Sequence, residues 1–174
     1  MKNYAGFWKR AGAFALDYLL ILAYLLGLTL LFMLLDFFFD VNQWLFGDRI
    51  RAQLVAFLLV TFPVLLYFAI SESSARQGTW GKRRLSLKVA DRNGDRIHFG
   101  RALWRAILKF LPWELSHTLI WQISFSPDVN SIWISYGFLL VYALIGLNLV
   151  SLLFSRRNQT VYDLLAGTYI LRLR

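Results

Sequence analysis

Three stretches of this chain, residues 18–35, 52–71 and 129–155, contain no Asp, Glu, Lys or Arg and consist mainly of Leu, Ile, Val, Phe, Ala and Tyr. A helix needs roughly 20 apolar residues to cross about 30 Å of hydrocarbon, and it satisfies its own backbone N–H and C=O groups where no water can. Each stretch therefore reads as a transmembrane helix. Composition points the same way: 58% of the residues are hydrophobic, 17% are aromatic and the mean hydropathy is +0.52, more than a water-soluble domain can bury. Lys2, Lys9 and Arg10 could belong to the charged start of a signal peptide. The apolar run that follows is too long and lacks a small-residue cleavage site, so it reads as a membrane anchor. Cysteine is absent, which excludes disulfides, thiolate metal sites and a cysteine nucleophile.

A further apolar stretch, 110–127, carries Glu114 and His117, and hydropathy alone does not assign it. Charge placement does. Of the 19 Lys and Arg residues, Lys2, Lys9 and Arg10 precede the first helix, ten lie between Arg76 and Lys109, and Arg156, Arg157, Arg172 and Arg174 follow the last helix. Only Arg49 and Arg51 lie between helices one and two. Basic residues collect on the cytoplasmic side, so an even number of crossings is expected, with Ser126-Pro127-Asp128 as an external turn. The expected fold is an all-α integral membrane protein, one domain over residues 1–174, with about four transmembrane helices near 10–36, 52–72, 101–125 and 130–155. Both termini and the segment 156–174 are expected in the cytoplasm, the protein residing in the cell's inner (cytoplasmic) membrane. The alternative has three spans and an interfacial or re-entrant 101–125, because Arg101, Arg105 and Lys109 recur at helical spacing beside Leu103, Trp104, Ile107 and Leu108.

Between helices two and three, residues 82–97 alternate polar and apolar (Leu85, Leu87, Val89) up to Asn93-Gly94, a strong two-residue turn signal. A small cytoplasmic β-hairpin over about 82–98 is expected. Its basic residues Lys82, Arg83 and Arg84 are candidates for anionic lipid or an acidic protein partner, against the plainer reading of a solvated topogenic loop. No nucleic-acid module fits, and nucleic acid is not an expected partner. Gly78-Thr79-Trp80-Gly81-Lys82 has the wrong glycine spacing for a phosphate loop and no strand-to-helix context.

Three blocks carry a resemblance: Gly6-Phe7-Trp8-Lys9-Arg10-Ala11-Gly12-Ala13-Phe14-Ala15-Leu16-Asp17; Gln77-Gly78-Thr79-Trp80-Gly81-Lys82-Arg83 with Leu87-Lys88-Val89; and the run 156–168, which includes Tyr162-Asp163-Leu164-Leu165-Ala166-Gly167. Together and in this order they resemble the RDD family of bacterial and archaeal membrane proteins. The family's name-giving Arg and two Asp would fall on Arg10, Asp17 and Asp163. The resemblance implies a transport-type role, some members being regarded as sodium (or lithium, potassium)/proton antiporters.

Physical chemistry constrains these residues further. Arg10 and Asp17 are two helical turns apart, about 10 Å along the axis, too far for a direct pair. Asp17 cannot snorkel on its short stem, so it must be protonated, paired with a neighbouring helix or bound to a cation. Competition of a proton and a cation for one carboxylate is the minimal chemistry of an antiporter. Interhelical hydrogen bonding is an equally weighted structural reading for Asp17. Asp163 is expected to pair with Arg10 and latch the C-terminal segment onto helix one, a structural or gating role for both. Glu114 and His117, at i and i+3, share a helix face after Pro112; they could join Asp17 around one polar cavity with Asn148, Gln122 or Ser151. The plainer reading is a mutual hydrogen bond. Pro63 is expected to kink helix two.

The reading that follows is transport of a small ion or solute, including monovalent cation/proton antiport, with Asp17, Glu114 and His117 as ion-binding residues. The ligand is a monovalent cation or a proton, with no cofactor. A transition metal is not expected, since His98 is the one other histidine. Four helices rarely enclose a two-sided pathway, so a homo-oligomer is expected within the membrane lipids. The alternatives are a scaffold or regulatory subunit binding a cytoplasmic partner or anionic lipid, and an intramembrane metal protein using Glu114 and His117. No nucleophile–base–orienter set is visible, and an enzyme is not expected.

Overall fold

A computed structural model describes residues 3–126 and 132–173. The chain is mostly helical. Helix α1 (Phe7–Phe39) ends where Asp40 turns left-handed at φ 51° and donates its N–H to Asp36 O. A short α2 (Val41–Phe46) leads to α3 (Arg49–Ala56), whose first turn is capped by the Asp48 side chain accepting from Arg51 N. Then α3 runs through a π-turn, Phe57–Thr61, directly into α4 (Phe62–Ser73). Short α5 (Trp80–Arg84) and strand β1 (Leu87–Ala90) follow, then α6 (Phe99–Phe125), α7 (Ile132–Phe154), α8 (Val161–Ala166) and β2 (Tyr169–Arg172). Among the described residues, three helices are long and apolar enough to cross a membrane: Phe7–Phe39, Arg49–Ser73 and Ile132–Phe154. They correspond to the expected helices at 10–36, 52–72 and 130–155. The expected 101–125 helix is present as α6, which is not one of those three. Of the expected external turn, Pro127 and Asp128 lie outside the described residues.

Pro63 lies in the first turn of α4, directly after the π-turn. Lacking an N–H, it cannot bond the Leu59 carbonyl one turn earlier, and the Tyr24 hydroxyl of α1 donates to that carbonyl instead, at 2.5 Å. The π-turn just before it widens the backbone and brings Thr61 to face α6.

The expected β-hairpin over 82–98 does not form. Residues 82–84 belong to α5, because Thr79 caps that helix by accepting from Lys82 N. Asn93-Gly94 does turn the chain: Asp91 Oδ1 accepts from the N–H groups of Asn93, Gly94 and Asp95 at 2.8, 3.0 and 2.9 Å. Those bonds, chiefly that of Asp95, hold the Asp91 carboxyl below its ordinary range. Yet only Ile97 in 95–98 is apolar, and His98 already caps α6 by accepting from Arg101 N. The edge of β1 is taken instead by β2, antiparallel, in register Leu87↔Arg172 to Ala90↔Tyr169. Tyr169-Ile170-Leu171 brings two residues that bury where the hairpin return would bring one. Tyr4 bridges Leu171 on the far edge of β2, Ala5 N donates to Ile170 O and Arg172 N donates to Asn3 O. The two ends of the chain are thus stitched together. Ala5, Ala13, Ala69, Leu87, Val89, Ile97, Ala102 and Ile170 form the core of this end, and Val64, Leu65, Phe68 and Ala106 continue it along α4 and α6.

Candidate functional site

Five helices, α1, α4, α5, α6 and α8, converge on a chain of buried charges. Arg10, near the start of α1, places Nη2 2.5 Å from Asp163 Oδ2 and donates Nη1 to Asn158 O at 2.5 Å. Arg105 of α6 reaches in two directions, with Nη2 2.7 Å from Asp163 Oδ1 and Nη1 2.6 Å from Glu72 Oε2 at the end of α4. Lys82 of α5 closes the chain at 2.8 Å from Glu72 Oε1. Glu72 and Asp163 are fully buried and Arg105 is 1% exposed. Taking such ions out of water costs several kcal/mol each unless every oxygen finds a partner, and here all four carboxylate oxygens do. Thr160 N and Thr168 Oγ1 add to Asp163, whose side chain also forms the capping box of α8. Burial would push the Asp163 carboxyl up; the Arg10 and Arg105 guanidiniums overcome it and hold the group well below the usual carboxylate range.

Asp17 lies two turns up α1, fully buried, in a cradle built by the 78–81 segment. Oδ2 accepts from Thr79 Oγ1 at 2.6 Å, and Oδ1 accepts from Gly81 N at 2.7 Å and from the Tyr67 hydroxyl at 2.8 Å. The Tyr67 oxygen in turn accepts from Trp80 N. A Cβ on Gly81 would stand 2.1 Å from the Ala13 carbonyl oxygen, so the missing side chain is what lets α5 lie against α1. Small residues in α1, Gly12 and Ala13, supply the matching groove.

Glu114 sits elsewhere. Its Oε2 accepts from Thr61 Oγ1 at 2.6 Å, at the end of the π-turn. Thr61 and Tyr67 are six residues apart on one helix, about 9 Å along its axis, so Glu114 and Asp17 form separate centres rather than one cavity. His117 packs edge-on against Trp113 with ring centroids 4.8 Å apart; its buried Nδ1 has no hydrogen-bond partner among the described residues, and it does not bond Glu114. The expected helpers are occupied too: Gln122 accepts from Arg49, Asn148 Oδ1 accepts from Tyr162 N, and Ser151 donates to Gln159 O. Gln53 Nε2 donates to Thr118 Oγ1. The pairs 49/122, 53/118 and 61/114 thus form a polar ladder between helix two and α6.

Of the basic trio, Lys82 turns inward to Glu72, which removes it from any surface. Arg83 and Arg84 are exposed, and Arg84 lies 5.4 Å over the Trp80 ring beside Arg76. Sequence reasoning singled out Arg10, Asp17 and Asp163 but missed Glu72, Thr61, Tyr67 and the linking role of Arg105. Glu72 offered a signal: it is the first charge after the uncharged stretch 52–71. Among the described residues no group of three His, Asp or Glu side chains could hold a metal ion.

These features define a helical membrane protein whose chain ends are locked together by a buried ion network. The chain belongs to the RDD family: the family model matches residues 4–167, nearly the whole chain. No curated protein and no solved structure matches it.

Proposed function

We propose that the protein is a small-ion transporter, not an enzyme, exchanging a monovalent cation for protons at Glu114, while Asp17 serves as a structural carboxylate. The observation that carries this is the contrast between the two groups. Asp17 has three donors, one of them a backbone N–H that no cation can replace. Glu114 has one side-chain donor, Thr61, placed by a π-turn, a distortion common at functional sites. Nine residues beyond Arg105 on α6, Glu114 lies about 14 Å deeper, near the middle of a hydrocarbon core about 30 Å thick. Thr61 lines two clefts. One, about 220 Å³, lies between α1, α4 and α6 beside Tyr18, Phe110 and Trp113; the other, about 330 Å³, includes Glu114, Leu103 and Leu111. A proton and a cation compete for such a carboxylate.

Four spans with both termini in the cytoplasm suit this reading. The bridge of Tyr4 to Leu171 of β2 supports both ends lying on one side, and with three apolar crossings that reading calls on a fourth, through α6. The gathering of basic residues at that end favours the cytoplasmic face of the inner membrane. The open sides of both clefts fit a homo-oligomer. A scaffold reading finds support in Arg76, Arg83 and Arg84 around Trp80, a surface suited to anionic lipid. The test is cation-driven proton flux in proteoliposomes, comparing wild type with Glu114→Gln.

A further inference from the structure

Short helix α5 presents two faces. Inward, its Gly81 N–H and its capping Thr79 hydroxyl bond Asp17, and Lys82 pairs with Glu72. Outward, Arg83 and Arg84 are exposed, with the Arg84 guanidinium 5.4 Å from the centre of the Trp80 ring. Exposed Arg76 joins them across a hollow of about 390 Å³ lined by these four residues. The turn carrying Arg76 is pinned on both sides. Gly78 N donates to Ser71 O at 3.1 Å, Gln77 N donates to Ser74 O at 3.0 Å, and Gln77 O accepts from Val89 N at 2.6 Å. Among the described residues no carboxylate pairs with any of the three guanidiniums. Three like charges held together on anchored backbone repel one another. An anion between them relieves that repulsion, and little ordering is left to be done when it binds.

An apolar groove of about 180 Å³ begins beside this basic cluster. It lies between α1 and α4 and is lined by Leu20, Ile21, Tyr24, Pro63, Val64 and Tyr67. Tyr67 joins the two features, because it lines the groove while its hydroxyl accepts from Trp80 N at 3.0 Å. From Tyr67 to Pro63 the groove runs into the uncharged stretch 52–71, whereas Arg76 follows the end of α4 by three residues, at the depth of the lipid headgroups. Tryptophan favours that same depth. A cationic basket at the headgroups with an apolar groove leading from it toward the midplane matches the two-part chemistry of a phospholipid. The phosphate bonds the guanidiniums and a hydrocarbon chain fills the groove. A free phosphate would leave the groove unused.

We propose that Arg76, Trp80, Arg83 and Arg84 bind the headgroup of an anionic phospholipid, with one of its acyl chains in the groove between α1 and α4. The site bridges α1, α4 and the segment 76–84, so the bound lipid clamps α5 onto Asp17 and stabilises the fold. It does not rest on exchange at Glu114, and absence of cation-driven flux would leave it standing.

Native mass spectrometry of the full chain, released from micelles doped with equal amounts of palmitoyl-oleoyl phosphatidylglycerol and phosphatidylcholine, tests the site. The expected result is preferential retention of phosphatidylglycerol over the choline lipid, which has the same chains. An arginine beside an anionic lipid contributes about fivefold in affinity, so monodisperse Arg83→Gln/Arg84→Gln should bind phosphatidylglycerol about 30-fold more weakly. Leu20→Trp, which fills the groove from an exposed position, should also weaken retention with all three arginines intact. The unfolding midpoint of wild type should be higher with phosphatidylglycerol than with phosphatidylcholine, and that gap should close in the double variant. Equal retention of the two lipids, or wild-type affinity in Arg83→Gln/Arg84→Gln, overturns the headgroup site. Wild-type affinity in Leu20→Trp, with inorganic phosphate competing as well as the lipid does, reduces the cluster to a free-anion site and overturns the lipid assignment. A dimer mass that Leu20→Trp dissociates would give the groove to a second copy of the chain, which also contradicts the proposal.

Discussion

Asp17→Asn isolates the role of the most buried carboxylate on α1. The ionised side chain accepts three hydrogen bonds of 2.6, 2.7 and 2.8 Å, and a bond to a charged group contributes about 1.5–3 kcal/mol against about 0.5–1.5 for a neutral one. An asparagine can keep its oxygen where Oδ1 stands, facing Tyr67 and Gly81, but two charge-assisted bonds then fall to neutral strength. Its NH₂ takes the place of Oδ2 against Thr79 Oγ1, which already accepts from Lys82 N, so that bond is lost or reversed. The sum, less what the reversed bond recovers, is a destabilisation of about 2–4 kcal/mol. Equilibrium unfolding in mixed micelles, followed by tryptophan fluorescence, measures it, because Trp80 sits in the cradle. A loss below about 0.5 kcal/mol would refute the structural assignment, being the size expected of a surface change.

Three further outcomes follow from the same contacts. Gly81→Ala should be at least as damaging as Asp17→Asn, since its Cβ meets the Ala13 carbonyl oxygen at 2.1 Å; a folding yield and unfolding midpoint equal to wild type would contradict that packing. For Asp163, whose folded carboxyl is held below the usual range, the stabilisation should be complete above the unfolded value of about 3.9 and disappear as pH falls through the depressed folded value. The stability gap between wild type and Asp163→Asn should therefore be constant from pH 5 to 8 and shrink only below about pH 4, and a gap that closes near pH 6 would refute the pairing. Because the chain has no cysteine, single cysteines at Asn3 and Arg172 should react with an impermeant maleimide from the same side of oriented vesicles, and one at Ser126 from the opposite side. Labelling of Ser126→Cys from the side of Asn3 would rule out a spanning α6.

Much of this architecture was legible in the sequence because membrane helices obey a one-dimensional rule of length and charge. The three uncharged stretches became three long apolar helices, and Arg10 and Asp163 meet as their positions suggested. What was hidden depends on pairing across the fold. Leu87 and Val89 announced a strand, but the alternation says nothing of its partner, and Asn93-Gly94 pointed to a local hairpin where Tyr169-Ile170-Leu171 offered more apolar surface. Lys82 reads as one of three adjacent basic residues. Only the approach of α4 shows that it faces Glu72 while Arg83 and Arg84 face outward. The sequence centred the expected ion site on Asp17, with Glu114 and His117 as a weaker pair. Their difference lies in how many donors the fold supplies, three to Asp17 and one side-chain donor to Glu114, a count that requires knowing where Thr79, Gly81, Tyr67 and Thr61 come to rest.

The separation of roles between these two carboxylates is tested most directly by proton flux on addition of Na⁺, Li⁺ or K⁺ to proteoliposomes containing wild type, Glu114→Gln or Asp17→Asn, each reconstituted as intact, folded protein. Flux in wild type and in folded Asp17→Asn, with none in an equally stable Glu114→Gln, is the predicted result. Flux that survives in Glu114→Gln and vanishes in folded Asp17→Asn would contradict the account and return the exchanging carboxylate to helix α1.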